Sequence, residues 1–170
     1  MTASRTHTLI DSPIGELTLV ATDDVLSGVY MAEHHPAPDR TGFGPRADAD
    51  FAEAATQFGE YFAGDRTRFT LPLAPVGTAF QLQVWEALRQ IEYGTTRTYS
   101  QIALAVGRPT AIRAVAAANA RNPLSIVVPC HRVIGSGGKL TGYAGGVERK
   151  RFLLEREAEV LQARDVHAPA

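Results

Sequence analysis

The residue pair with the most evident chemistry in this chain is Cys130 followed directly by His131. Cys130 is the only cysteine among 170 residues, so it cannot form an intramolecular disulfide or a zinc site with several thiolate ligands. A neighbouring imidazole and the guanidinium of Arg132 can favour a thiolate, the form in which cysteine acts as a nucleophile. The residues alone leave two interpretations open, a reactive cysteine and a small buried one.

The segment on either side of this pair indicates how it is held. β-branched residues lie before and after it, and Pro129 restricts the backbone directly ahead of the thiol. We predict a short buried strand from Leu124 to Val128 that leads to Cys130. Neighbouring side chains of a strand point to opposite faces, so His131 can act on the thiol only if the backbone turns or a water lies between them.

A glycine-rich loop follows the cysteine, and its density of glycines predicts a backbone that approaches a ligand closely. Its six glycines are Gly135, Gly137, Gly138, Gly142, Gly145 and Gly146. A predicted helix over residues 147–158 then offers Glu155 or Glu157 as a carboxylate that could orient the histidine. We therefore expect the loop to form a pocket wall around the Cys-His pair.

Composition and charge limit the class of protein. A hydrophobic fraction of 45% is enough for a packed core. The sequence contains neither a stretch of roughly 18–20 apolar residues nor a signal-peptide pattern, so we expect a cytoplasmic protein that does not contact membranes. Residues 1–77 carry 5 Lys and Arg against 11 Asp and Glu, whereas residues 78–157 carry 11 against 5. A basic half that contains the cysteine predicts an anionic partner such as nucleic acid, unless the two halves only attract each other.

The N-terminal half is predicted to combine a small sheet with a helix. Three segments bounded by turn residues predict an antiparallel meander: Thr6–Ile10, Glu16–Ala21 and Val25–Met31. Residues 33–46, rich in proline and glycine, predict an irregular loop. Asp48 is expected to cap a helix that runs to Ala63, and residues 68–73 are expected to add an edge strand.

The C-terminal half is predicted to be mostly helical, which makes the fold class α+β with two small domains. A Pro- and Gly-rich linker divides the chain into a support domain (1–77), a DNA-binding domain that carries the cysteine (78–158) and a flexible tail (159–170). Thr78 and Thr98 are each followed three residues later by glutamine, the spacing of a capping box that begins a helix.

Two short helices separated by a tight turn predict a helix-turn-helix. The first is expected over residues 99–106, ended by Gly107, and the second from Pro109, which suits a first helical position, to Ala120. In DNA-binding proteins the second helix of this motif lies against a groove. Here it carries Arg113 among alanines that are too small to read bases. That surface fits either a close approach to DNA or close packing against another helix, and the residues do not decide between them.

A resemblance to a known family rests on the sequence Val128-Pro129-Cys130-His131-Arg132-Val133. It resembles the active-site signature of the O6-alkylguanine-DNA alkyltransferases, also called methylated-DNA-protein-cysteine methyltransferases. The flanking pairs Asn122-Pro123, Gly142-Tyr143 and Gly145-Gly146 extend this resemblance, which covers residues 80–157. It implies a DNA-repair protein that needs no cofactor and transfers an alkyl group from O6-alkylguanine in duplex DNA to its own cysteine, once.

The resemblance implies a role in the reaction for five residues. Cys130 would take the alkyl group, and His131 would remove the thiol proton through a bridging water while Glu157 holds the imidazole. Tyr99 would donate to guanine N3 and help to rotate the phosphate. Asn122 would tie the helix-turn-helix to the active-site segment.

The resemblance also implies how DNA is held. Arg113 would enter the base stack as the lesion flips out, with its helix in the minor groove. The other implied DNA contacts are Tyr99, Ala111, Ala114, Ala116 and Ser136. The implied substrate pocket comprises Val133, Tyr143, Ala144 and Gly145. Zinc in some relatives relies on N-terminal cysteines, and because this chain has none there, we predict no metal.

Three other functions fit parts of the sequence. A non-catalytic protein that binds and flags alkylated DNA would carry another residue in place of Cys130. A cysteine-sensor regulator would need base-reading side chains, which the alanine-rich helix lacks. A Cys-His hydrolase would leave the basic half and Arg113 unexplained. Activity on O4-alkylthymine and cooperative self-association on DNA are further expectations that come from the resemblance alone.

Overall fold

Three antiparallel strands form a sheet at the start of the chain, in the order β1–β2–β3. The structure is a computed structural model that describes residues 2–167. Its first strands are β1 (Arg5–Ile10), β2 (Leu17–Thr22) and β3 (Val25–Met31). Asp23 and Asp24 join β2 to β3 with φ angles of 49° and 65°, the left-handed conformation that a two-residue hairpin turn requires. The predicted meander is confirmed.

The helix after the sheet begins later than predicted. A 3-10 turn that starts at Asp48 precedes α1 (Ala52–Ala63). The Asp48 carboxylate accepts hydrogen bonds from Thr8 Oγ1 and Arg46 Nε, both at 2.7 Å. Asp48 therefore holds this segment to β1 instead of capping the helix, and that prediction is wrong. The helix ends as predicted at Gly64, whose φ of 86° suits a glycine C-cap.

The edge strand predicted over residues 68–73 is also wrong. The segment runs irregularly and pairs with the sheet through a single bridge between Leu73 and Leu26. Pro72 and Pro75 have no backbone N–H to donate, so a continuous ladder cannot form here.

The C-terminal half contains four α-helices within the described residues. They are α2 (Ala79–Arg89), α3 (Tyr99–Ala105), α4 (Ile112–Ala120) and α5 (Val147–His167). Capping boxes at Thr78 and Thr98 begin α2 and α3, as predicted. Two short strands, β4 (Arg97–Thr98) and β5 (Val133–Ile134), pair in parallel. The α+β architecture is confirmed, and none of the helices among residues 2–167 has the length and apolar character needed to cross a membrane.

The segment before Cys130 is a turn and not the predicted strand. Leu124 pairs with Val29 of β3 through one bridge, and the chain then reverses at Ile126, whose φ is 74°. A short apolar run looks the same in sequence whether it is buried in a strand or in another element. The strand β5 lies after the cysteine instead of before it.

The last helix continues beyond the point where the sequence predicted a flexible tail. Val160 on α5 is buried. It lies so close to Gly64 that a Cβ atom added to this glycine would contact the Val160 side chain. Arg164 Nη2 also donates to Gly64 O at 2.9 Å. The helix α5 extends to His167, so the predicted tail is wrong over residues 159–167. Residues 168–170 lie outside the described residues.

Backbone hydrogen bonds join the two halves close to the cysteine. Val29 N donates to Pro123 O at 2.8 Å, and His35 N donates to Ala144 O at 2.7 Å. The N-terminal half therefore contacts both the turn that precedes Cys130 and the glycine loop that follows it.

Candidate active site

A 3-10 turn over Cys130–Arg132 carries the predicted nucleophile and its histidine. The exposed fraction is 2% for Cys130 and 0% for His131. The turn packs against α2 and α5. Because the backbone turns here, the objection that neighbouring strand residues point to opposite faces does not apply.

Glu157 on α5 accepts five hydrogen bonds in the interior, where it is fully buried. Its Oε2 accepts from His131 Nε2 at 2.7 Å, Arg132 Nη2 at 3.0 Å and Tyr61 Oη at 2.6 Å. Its Oε1 accepts from Arg132 Nε at 2.8 Å and the backbone N–H of Gly94 at 3.1 Å. A buried carboxylate needs such partners, because removing an ion from water is costly unless its charge and lone pairs are matched.

The sequence predicted that either Glu155 or Glu157 orients the histidine. Glu157 is hydrogen-bonded to His131, whereas Glu155 is exposed. Burial acts to raise the pKa of Glu157, but the interactions with His131 and Arg132, which include hydrogen bonds from both and the charge of Arg132, outweigh it and hold the pKa far below its ordinary value. Glu157 is therefore ionised at neutral pH and can only accept hydrogen bonds. It follows that His131 Nε2 carries the hydrogen in their contact.

This tautomer leaves the other ring nitrogen of His131 as an acceptor. Nδ1 is buried and has no hydrogen-bond partner among the described residues. Burial lowers the pKa of His131, and although Glu157 opposes this, the charges of Arg132 and Lys150 add to the lowering. His131 therefore rests as a neutral imidazole whose Nδ1 can act as a base.

Cys130 rests as a thiol and not as the thiolate that neighbouring cations alone would give. Burial raises its pKa, and the opposing effects of hydrogen bonding with Asn122, the charge of Lys150 and hydrogen bonding with Ser125 are smaller. The proton must therefore leave during a reaction, and the unprotonated Nδ1 of the next residue, His131, is a base that could receive it.

Lys150 on α5 is a buried cation that the sequence reasoning did not single out. Its Nζ donates to the backbone carbonyls of Val133 and Thr141 and lies 5.9 Å from the centroid of the Tyr99 ring. Burial lowers the pKa of Lys150 to about 8. The sequence did contain a signal, because Lys150 lies seven residues before Glu157 and so on the same helix face.

Two buried asparagines connect the end of α4 to the cysteine turn. Asn122 Nδ2 donates to Val128 O at 2.8 Å, and Asn122 Oδ1 accepts from Leu124 N at 3.0 Å. Asn119, which the sequence reasoning missed, donates to Cys130 O at 3.4 Å. The helix-turn-helix and the cysteine turn are thus joined by side-chain hydrogen bonds.

The glycine loop and the short strand before it contain the predicted pocket residues. All of these are buried: Val133, Tyr143, Ala144 and Gly145. Tyr99 is half-buried, and its Oη donates to Thr141 O at 3.2 Å. A side chain at Gly145 would collide with Met31 Sδ, so this glycine permits close packing of the loop against the N-terminal sheet.

One face of α4 is packed and the other is exposed. Val115 and Ala118 are buried, and Trp85 Nε1 donates to Ala118 O at 2.8 Å, which holds α4 against α2. Arg113 and Ala114 are exposed. The other predicted DNA contacts are Ala111 and Ala116, which are half-buried, and Ser136, which is exposed. Close helix packing therefore explains only one of the two faces.

Two family profiles match this chain. The profile described as 6-O-methylguanine DNA methyltransferase, DNA binding domain, matches residues 79–159. The profile described as 6-O-methylguanine DNA methyltransferase, ribonuclease-like domain, matches residues 6–75. A methylated-DNA–protein-cysteine methyltransferase of Mycolicibacterium paratuberculosis is 50% identical over 163 residues, which are 95% of this chain and 93% of the relative.

Solved structures agree with this match. The crystal structure of the Mycobacterium tuberculosis O6-methylguanine methyltransferase superposes with a TM-score of 0.86 at 48% identity, covering 98% of this chain and 96% of that one. A crystal structure of the Mycobacterium tuberculosis OGT in complex with DNA has a TM-score of 0.84 at 48% identity, covering 91% and 94%. The fold is thus shared over nearly the whole length of these chains.

Proposed function

This chain belongs to the 6-O-methylguanine DNA methyltransferase family, and on that premise we propose that it repairs DNA by taking the alkyl group of O6-alkylguanine onto Cys130. The observation that carries the proposal is a buried Cys130 next to the hydrogen-bonded pair of His131 and Glu157, in a turn that a further hydrogen bond connects to a helix-turn-helix with an exposed Arg113. The product would be a thioether, which water cannot readily cleave, so each molecule would act once.

The transfer is an in-line displacement in this proposal. The Cys130 thiol loses its proton to His131 Nδ1, through a bridging water, and the sulfur bonds to the alkyl carbon as the bond from that carbon to guanine O6 breaks. The bonding electrons pass to the guanine, and Tyr99 stabilises the departing purine by donating to N3. Glu157 stabilises the imidazolium that forms. Tyr99 Oη must exchange its contact with Thr141 O for the guanine.

DNA binding would have to move the alkylated base out of the DNA duplex. The O6 of a stacked guanine cannot reach a buried thiol, so the nucleotide must flip, at a cost of a few kcal/mol. Arg113 would enter the gap, where its guanidinium can hydrogen-bond the orphaned cytosine while its charge stays near phosphates. The small side chains at Ala114 and Ala117 would let α4 approach the minor groove.

An Arg113→Ala variant should repair duplex DNA roughly ten- to a hundredfold more slowly, because extrusion loses the group that fills the gap. Its reaction with free O6-benzylguanine should change by less than about twofold, because a free base needs no extrusion. Both rates are measured with purified protein in excess.

The matched control is Arg151→Ala, which removes an exposed arginine that is ion-paired to Glu148 on α5. It should alter neither rate by more than about twofold, since exposed pairs contribute little. Equal losses on duplex and free base in Arg113→Ala would contradict the role in extrusion.

Lys150 is proposed to stabilise the thiolate as it forms, and this predicts a pH effect. The wild-type rate should fall on the basic side as pH rises through about 8, the pKa of Lys150, because the ammonium is lost there. Lys150→Met should react roughly tenfold more slowly at pH 7 and lack this basic limb. Lys139→Met, at an exposed position, is the control. A basic limb that persists in Lys150→Met would refute the assignment.

The proposed function is tested most simply on the DNA. A duplex with one O6-methylguanine is incubated with an equimolar amount of protein, digested and analysed for nucleosides. We expect guanine to replace the lesion in proportion to the protein added. A retained lesion in a bound duplex would indicate a flag protein, and binding that prefers one undamaged sequence would indicate a regulator.

Several finer assignments accompany this proposal. We propose the domain boundary between residues 77 and 78 and a cytoplasmic site of action on DNA. Binding in the minor groove belongs to the same proposal. Activity on O4-alkylthymine and cooperative self-association on DNA stay predictions from the family resemblance.

A further inference from the structure

Tyr61 reaches the relay from the other half of the protein. It lies on α1, 96 residues before Glu157, and its Oη donates to Glu157 Oε2 at 2.6 Å. Its exposed fraction is 1%. Oε2 is also the oxygen that accepts from His131 Nε2. The phenol and the imidazole therefore share one acceptor atom.

We propose that Tyr61 is a positioning residue for the transfer step, which tunes the basicity of His131 through Glu157. The N-terminal half would then contribute a hydrogen-bond donor to the proton-transfer site, in addition to supporting the C-terminal half. This inference rests on the proposed function, because it concerns the removal of the Cys130 proton.

The Tyr61 phenol changes how strongly the Glu157 carboxylate can accept other hydrogen bonds. A hydrogen bond to Oε2 stabilises negative charge there and makes the oxygen a weaker acceptor for other donors. Burial raises the pKa of Tyr61 well above its ordinary value, and Glu157 raises it further, so the phenol keeps its proton and always donates. Without it, Glu157 would stabilise the protonated imidazole of His131 more strongly. His131 would then hold a proton at Nδ1 up to a higher pH and could not accept one from Cys130.

The position of the phenol is fixed by packing on both sides. The Tyr61 ring lies 5.2 Å from the centroid of Phe62, 5.4 Å from that of Phe69 and 6.1 Å from that of Tyr93. The end of α1 is held to α5, because Arg156 Nε donates to Phe62 O at 3.2 Å. The helix that carries Glu157 thus also anchors the helix that carries Tyr61.

Tyr93 provides a matched control in the same cluster. It is buried like Tyr61, but its hydroxyl has no hydrogen-bond partner among residues 2–167. Replacement of either tyrosine by phenylalanine removes the same single atom and keeps the ring. The face of the Tyr93 ring that lies 5.5 Å from the Arg132 guanidinium is preserved. Only Tyr61→Phe removes a donor to Glu157.

The experiment measures the pH dependence of alkyl transfer from O6-methylguanine in a single-stranded oligonucleotide for wild type, Tyr61→Phe and Tyr93→Phe. In Tyr61→Phe the midpoint of the acid limb should move up by roughly 0.5 pH unit, so the rate at a pH well below the wild-type midpoint should fall about threefold. The Tyr93→Phe profile should superpose on that of wild type. A Tyr61→Phe profile with an unchanged midpoint would overturn the inference, even if the maximal rate differed from that of wild type.

Two further measurements keep the test decisive. The same pH series with iodoacetamide reports proton loss from Cys130 without any alkylated guanine. If wild type transfers no methyl group, the proposed function fails, and the iodoacetamide profiles still decide the role of Tyr61. If Tyr61→Phe does not fold, 3-fluorotyrosine placed at position 61 keeps the ring and donates more strongly. It should move the midpoint down, and no movement or an upward one would overturn the inference.

Discussion

A Cys130→Ser variant should leave O6-methylguanine in duplex DNA unrepaired while it still binds that duplex. A serine hydroxyl is far less acidic than a thiol, and neutral His131 is too weak a base to make it a competent nucleophile towards an alkyl carbon. The rate should fall by roughly a thousandfold or more. Fold and DNA surface should persist, because the substitution changes one buried atom and leaves the exposed face of α4 intact.

The measurement combines two readings on the same samples. Nucleoside analysis of the DNA gives the lesion that remains, and a gel-shift titration gives the affinity for the duplex. Thermal unfolding of the variant shows that it is folded. Efficient removal of the lesion by Cys130→Ser would contradict the assignment of Cys130 as the alkyl acceptor. Loss of DNA binding with an intact fold would contradict the claim that DNA binding does not depend on the thiol.

A Glu157→Gln variant should be impaired in both chemistry and stability. The neutral amide has only one oxygen for the five donors that now meet the carboxylate, and Arg132 loses its buried anionic partner. Transfer should slow roughly a hundredfold, because His131 is no longer oriented or stabilised as it takes the proton. The free energy of unfolding at pH 7 should drop by about 3–5 kcal/mol, as for other broken buried ion pairs.

The stability loss should depend on pH in a defined direction. The pKa of Glu157 is depressed in the folded protein, so its ionisation contributes stability that is fully present above the unfolded value of about 4.3 and is lost as pH falls below it. The difference in unfolding free energy between wild type and Glu157→Gln should therefore narrow from pH 5 to pH 3. Urea unfolding at four pH values measures it.

Glu155→Gln is the matched control for this prediction. The side chain lies two residues earlier on α5 and is exposed. Its replacement should change the rate by less than about twofold and the unfolding free energy by less than about 0.5 kcal/mol. A stability difference between wild type and Glu157→Gln that stays constant with pH would contradict the depressed pKa.

Local signals in the sequence predicted local structure well. The hairpin at Asp23-Asp24 and the capping boxes at Thr78 and Thr98 depend on residues within a few positions of one another. The strand predicted before Cys130 was wrong because the conformation of this segment does not depend on nearby residues alone. Its apolar residues are buried by a turn whose course is set by contacts with β3, and a periodicity argument cannot see such contacts.

The site was predictable only as far as its motif extended. The resemblance pointed to Glu157, yet three of the donors around that carboxylate, Tyr61, Arg132 and Gly94, were not foreseen. Tyr61 and Gly94 arrive from distant parts of the chain, and nothing near them in sequence marks them as partners of Glu157. The role of Lys150 was easier to predict, because a lysine on the buried face of a helix needs hydrogen-bond acceptors for its charged group.

The central claim, that Cys130 is an acceptor used once, is tested most directly by the mass of the protein itself. The protein is incubated with a tenfold excess of duplex carrying O6-methylguanine, weighed intact and then digested. We predict a single added methyl group, found on the peptide that contains Cys130, and no further increase with time or with more DNA. Unmodified protein, methylation at another residue, or continued removal of lesions after one equivalent would contradict the claim.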